Sequence, residues 1–69
     1  MSNQQLNNLI GQSGKLTFVN KYGYTNELHG KLSKPDNGKF AFQVHGSVTI
    51  LIEASKVIDF EVIEMEVIN

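Results

Sequence analysis

The chain has 69 residues, a formal net charge of −1 with six lysines, and no arginine, cysteine or tryptophan. Without cysteine, disulfides, thiolate metal sites and thiol nucleophiles are excluded, and without guanidinium forks the side chain best suited to bidentate phosphate recognition is missing. At this length the apolar area removed from water barely offsets the entropy lost on ordering, so one small, tightly packed domain over residues 1–69, or association with a partner, is expected.

The charge is unevenly spread. Residues 1–46 carry five lysines against Glu27 and Asp36, a local charge of +3, whereas residues 47–69 carry Lys56 against five acids, a local charge of −4. The opening Met1-Ser2-Asn3-Gln4-Gln5 has no basic residue, no apolar run of signal-peptide length follows, and no segment approaches a membrane span. A soluble, cytoplasmic protein with no membrane partner is therefore expected, and the lack of cysteine fits a reducing compartment.

Ser2 and Gln5 have capping-box spacing, and Leu6, Leu9 and Ile10 follow at helical intervals, so a short amphipathic helix over about 3–10 is predicted, ended by Gly11 and Gly14. Leu16 and Phe18 alternate with polar neighbours in a first strand over 15–20. Lys21 to Asn26 breaks that alternation with a glycine and two tyrosines and is predicted as a loop. A second strand, 27–33, places Leu28, Gly30 and Leu32 on the core face, with Gly30 allowing a sharp bend. Lys34-Pro35-Asp36-Asn37-Gly38 is the strongest turn signal, and a third strand, 39–45, directs Phe40, Phe42 and Val44 inward. Because inward residues of both strands are even-numbered, paired positions must have an even sum. A regular four-residue loop would break that parity, so a five-residue loop or a bulge is predicted.

The organising stretch is Ser47 to Val62: strands over 47–53 and about 57–67 joined by a one-turn corner at Glu53-Ala54-Ser55-Lys56. Val48, Ile50 and Ile52 form the apolar set before the corner, and Ile58, Phe60 and Val62 the set after it. The pattern then changes phase to Ile63, Met65 and Val67. A one-residue shift moves side chains to the opposite face, so a bulge near Ile63, or departure of the strand to pair elsewhere, is predicted, with these three residues as an oligomer interface. The fold class is thus mostly β: a five-stranded, strongly bent antiparallel barrel with a short N-terminal helix.

Leu6-Asn7-Asn8-Leu9 in a leading helix, then Leu16-Thr17-Phe18-Val19-Asn20, Leu28-His29-Gly30-Lys31-Leu32 and the paired last strands resemble the small SH3-like barrels of the Sm-like group, and the bacterial Hfq type in particular, over residues 6–62. The resemblance implies a ring built by edge pairing and an RNA-binding role. Where that family carries a Lys-His pair at the last corner, this chain has Glu53-Ala54-Ser55-Lys56, so only Lys56 carries over as a phosphate contact.

Candidate contact residues follow from residue chemistry. Tyr22 and Tyr24 beside Lys21 suit base stacking with a phosphate contact, against the plainer reading of a lid or a protein-contact tip. Lys31, Lys34 and Lys39 make a basic patch on the second hairpin, or simply a solvated face that discourages edge aggregation. Glu53, Asp59, Glu61, Glu64 and Glu66 form an acidic face that serves solubility or imitates a phosphate backbone. His29 and His45 face each other if paired positions sum to 74, but no third ligand accompanies them and structural sites want four; no metal and no cofactor is expected. No nucleophilic triad and no glycine-rich phosphate loop is present, so no catalytic residue is assigned and an enzyme is not expected. The expectation is a regulatory or inhibitory binding module that docks onto a protein partner and self-associates through its C-terminal strand. The alternatives are an Sm-like RNA-binding ring using the tyrosines and lysines, and a barrel that cups a small ligand such as a nucleotide. Phage origin is compatible with all three.

Overall fold

A computed structural model describes residues 1–44 and 48–63, with Asp36 described by its backbone alone. Helix α1 spans Asn3–Asn7. Its start is the capping box: Ser2 Oγ accepts from the Gln5 amide at 3.1 Å, and Gln5 Oε1 accepts from the Ser2 amide at 2.8 Å. The helix is shorter than the predicted 3–10 because the chain turns through residues 8–11 to Gly11, at φ +91°. The Gly11 amide then donates to the Leu32 carbonyl at 2.8 Å, and the Leu32 amide to the Gln12 carbonyl at 3.0 Å. A helix too short to persist alone is thereby fastened to the sheet, with Leu6 fully buried beneath it.

The strands are β1 (Ser13–Val19), β2 (Thr25–Asp36), β3 (Lys39–Val44), β4 (Thr49–Ile52) and β5 (Val57–Val62), with a 3-10 turn at Ala54–Lys56 between β4 and β5. They form one antiparallel sheet in the order β4-β3-β2-β1-β5, the mostly β architecture expected from the alternation. The first half of β2 pairs with β1 and its second half with β3. At the crossover Gly30 lies opposite Gly14, and neither position has room for a side chain. A Cβ on Gly30 would stand 2.1 Å from the Gln43 carbonyl oxygen, and one on Gly14 2.1 Å from that of Glu61. Gly14, expected to help end the helix, is instead a strand residue that permits this close backbone approach.

The bend curls the sheet onto itself. Phe42 on β3 and Phe60 on β5 are three strand steps apart, about 14 Å in a flat sheet with 4.8 Å spacing, yet their rings meet edge-to-face with centroids 6.2 Å apart. Around this pair the core closes with Leu6, Leu16, Leu32, Phe40, Ile52, Ala54 and Val57. Each is apolar and inward by the pleat of its strand or by the helix and corner that cap the sheet.

Two departures from regular pairing set which side chains reach that core. In the second hairpin, paired positions sum to 74 from Gly30↔Val44 to Ser33↔Ala41, and then shift, leaving Lys34 as the extra residue. This is the bulge that parity demanded, and it is where a strand tolerates the neighbouring Pro35. The predicted turn over 34–38 contracts to Asn37-Gly38, both at positive φ (52° and 78°), so β2 runs on to Asp36. The second shift lies between Thr17↔Asp59 and Phe18↔Val57. It makes Ile58 the extra residue of β5, turning it out to 53% exposure and bringing Val57 into the core in its place.

The inward assignment of Ile58 is thus corrected, as are those of Val62, exposed at the strand's end, and Val48, exposed ahead of β4. The corner is a single turn as expected, and its Ala54 and Val57 carbonyls accept from the Met1 amino group. Near Ile63 the chain still follows β1, the Ile63 amide donating to the Ser13 carbonyl at 2.9 Å. The predicted strand segments 45–47 and 64–67 lie outside the described residues.

Candidate functional site

The β1–β2 connection is a tip built on one side chain. Asn20 Oδ1 accepts from the Tyr22 amide at 2.9 Å and the Tyr24 amide at 3.0 Å, while the Asn20 amide donates to the Tyr24 carbonyl and the Gly23 amide to the Asn20 carbonyl. Gly23 completes the reversal at φ +85°. With the backbone so satisfied, both rings stand in solvent, Tyr22 at 72% and Tyr24 at 70% exposure, which excludes the lid arrangement. Lys21 Nζ sits 5.2 Å from the centre of the Tyr22 ring, within cation–π range.

Lys21 also lines a concavity of about 530 Å³ between the end of β1, the start of β2, β4 and the 3-10 corner. Phe18, Leu28 and Ile50 give it partly buried apolar walls, and Lys39, Lys56 and Glu53 join Lys21 as its charged residues. The sequence grouped Lys39 with Lys31 and Lys34 on one hairpin. The fold separates them: Lys39 opens β3 beside the cavity, Lys31 pairs with Gln43 on exposed strand, and Lys34 is the bulge residue. Lys56 was singled out from the corner, but its grouping with Lys21 and Lys39 depends on strand order, which no local pattern encodes.

The edges of the sheet form a second surface. Among the described residues, the large apolar side chains left exposed, apart from the two tyrosines, are Val48 and Leu51 at β4 and Ile58, Val62 and Ile63 at β5. These two strands are the two ends of the strand order, so among the described residues each has one margin with no strand beside it. Of the residues first assigned to an interface, Ile63 is exposed here, whereas Met65 and Val67 lie outside the described residues.

Of the acidic set, Asp59 and Glu61 stand at alternate positions of β5, opposite Thr17 and Lys15. Glu61 is engaged by Lys15, whose Nζ lies 3.6 Å from Glu61 and 3.5 Å from Glu27, bridging β5 and β2 across the outer face of β1. These two carboxylates, Glu27 the more strongly, hold the Lys15 pKa above its ordinary 10.5. Asp59 and Glu53 are exposed, and Glu64 and Glu66 lie outside the described residues. His29 pairs across to Lys15 on β1, and His45, its expected partner, also lies outside them. Among the described residues no three His, Asp or Glu side chains gather as metal ligands, and no helix is long and apolar enough to cross a membrane.

Compared with protein-family models, with curated proteins and with solved structures, the chain matches none.

Proposed function

We propose that this protein is a non-catalytic binding module, regulatory or inhibitory in action, that assembles with copies of itself through its edge strands and offers the tyrosine tip to a protein partner. The observation that carries this is that, among the described residues, the large exposed aliphatic side chains are confined to the two margins of a curled sheet, Val48 and Leu51 on one and Ile58, Val62 and Ile63 on the other. Apolar surface beside an unpaired strand edge is a template for another strand. Since the two margins are different strands, joining β4 of one copy to β5 of the next is a head-to-tail contact that closes into a ring if the rotation permits. The order of helix, five strands and one-turn corner resembles that of the Sm-like barrels, a resemblance that supports assembly of that kind.

Light-scattering mass of the wild type and of Leu51→Glu and Ile58→Glu tests this reading. The wild type is expected to be a multimer and each variant, still folded by circular dichroism, a monomer. Mixing the two variants restores a dimer, because each retains one intact margin. A monomeric wild type at the highest soluble concentration refutes the proposal, and a multimer that survives Leu51→Glu but not Ile58→Glu places the contact on β5 alone. A second reading, single-stranded RNA at the tip, rests on the exposed Tyr22 ring with Lys21 over it; RNA binding would weaken steeply with salt through counterion release, and apolar strand pairing would not.

A further inference from the structure

We infer that the concavity between β1, β4 and the corner binds a free nucleoside phosphate. The chain as a whole is acidic, with a net charge of −1, yet the charged residues lining this hollow are Lys21, Lys39 and Lys56 against Glu53. The lysines come from the β1–β2 tip, the first residue of β3 and the last residue of the 3-10 turn. Their convergence is therefore produced by the fold and not by a local run of basic sequence.

Between them lies apolar surface that the core does not finish covering: Phe18, Leu28 and Ile50 pack against the core but keep part of their surface open, and all three line the hollow. About 530 Å³ falls within the range of small-molecule sites, roughly 300–1,000 Å³.

A ligand using both features carries an anionic group and an apolar body. Lysine ammonium groups bind phosphate as compact point charges, and the nearly double negative charge of a phosphate monoester suits several lysines better than the single charge of a carboxylate. Glu53 repels a bare phosphate but can accept a hydrogen bond from a ribose hydroxyl or an exocyclic amine. The base thus lies against the Phe18, Leu28 and Ile50 wall, the phosphate among the lysines, and the sugar side toward Glu53. Every wall belongs to one chain, so the site does not depend on self-association.

The test is titration of the full chain, by calorimetry and amide chemical shifts, with AMP, adenosine, inorganic phosphate and a hexa-adenylate strand. AMP is expected to shift the amides of Phe18, Lys21, Lys39 and Lys56 and to bind about tenfold or more tightly than adenosine or phosphate, since each lacks one half of the contacts. Lys39→Glu with Lys56→Glu should weaken AMP by about tenfold or more, while Lys31→Glu with Lys34→Glu, an equal charge change on exposed residues outside the hollow, leaves it within about twofold.

Several outcomes overturn the inference. These are no response to AMP, equal binding of phosphate and AMP, equal weakening by both double variants, and binding of hexa-adenylate while AMP stays silent. Loss of self-association in Ile58→Glu, a residue outside the hollow, would leave AMP binding unchanged, which keeps the two proposals separable.

Discussion

The middle of the sheet and its two margins are made from the same kinds of residue and end in opposite states. In the middle, β1, β2 and β3 bury Leu16, Leu32, Phe40 and Phe42 almost completely, two glycines bring backbones together, and hydrogen bonds from Gly11 and Leu32 fasten the helix exit on top. At the margins, Leu51 and Ile58 are as apolar as anything inside and lie half in solvent. The difference is the face each side chain takes, since β4 and β5 also send Ile52, Val57 and Phe60 into the core. A curled sheet of five strands has one interior, and residues of the opposite parity, or displaced by a bulge, are left on its outside.

Truncation should split the two regions most widely. Phe42→Ala removes the ring that meets Phe60 and is expected to cost about 3–5 kcal/mol, comparable with the whole stability of a domain this small, about 3–10 kcal/mol. Leu51→Ala should change monomer stability by no more than about 0.5 kcal/mol. Urea denaturation of both, at a concentration where self-association is absent, checks the contrast, and equal losses would break it. A smaller effect comes from the seam. Gly30→Ala drives a Cβ into the Gln43 carbonyl, and as backbone meets backbone neither side can rotate away, so a loss of about 2–3 kcal/mol is expected by the same measurement. A neutral result would mean the β2–β3 seam opens without cost and the middle is less rigid than its packing implies.

How much of this was legible beforehand follows the same division. Alternation over 15–20, 27–33 and 39–45 was enough to place Leu16, Leu32, Phe40 and Phe42 inside, and the parity of two strands was enough to require the bulge found at Lys34. Alternation failed at β5 because Val57 and Ile58 are both apolar. A one-residue shift between two apolar neighbours leaves no trace in the pattern, and Ile58 was put inside where Val57 belongs. Gly14 is ambiguous for a related reason: a glycine after a helix looks like a stop, and only the sheet shows it as a crossing point. Tyr22 and Tyr24 could be recognised as loop residues because a glycine and polar residues surround them, but alternation does not decide between an exposed tip and a lid. That Lys21, Lys39 and Lys56 line one hollow is not legible in the pattern, because it depends on which strands are neighbours.

The outer face of β1 carries the smallest effect. Lys15 has its pKa raised by Glu27 and Glu61, so the stability it contributes is fully present below the ordinary lysine value of 10.5 and is lost as pH climbs through the higher folded-state value. Exposed ion pairs of this kind contribute little and are screened by salt. The melting-temperature difference between the wild type and Lys15→Met should therefore be small, constant from neutral pH to the lysine range, and vanish only beyond it. A difference that fades well before that range would show that the bridge across β5, β1 and β2 is not what holds this face.

One carboxamide oxygen, on Asn20, settles the backbone of the whole first reversal by receiving two amides from residues further along. The rings of Tyr22 and Tyr24 take no part in that arrangement. Shape and chemistry are consequently uncoupled at this spot: successive variants can exchange what the knuckle displays, ring for charge or bulk for nothing, while the scaffold underneath stays as it is.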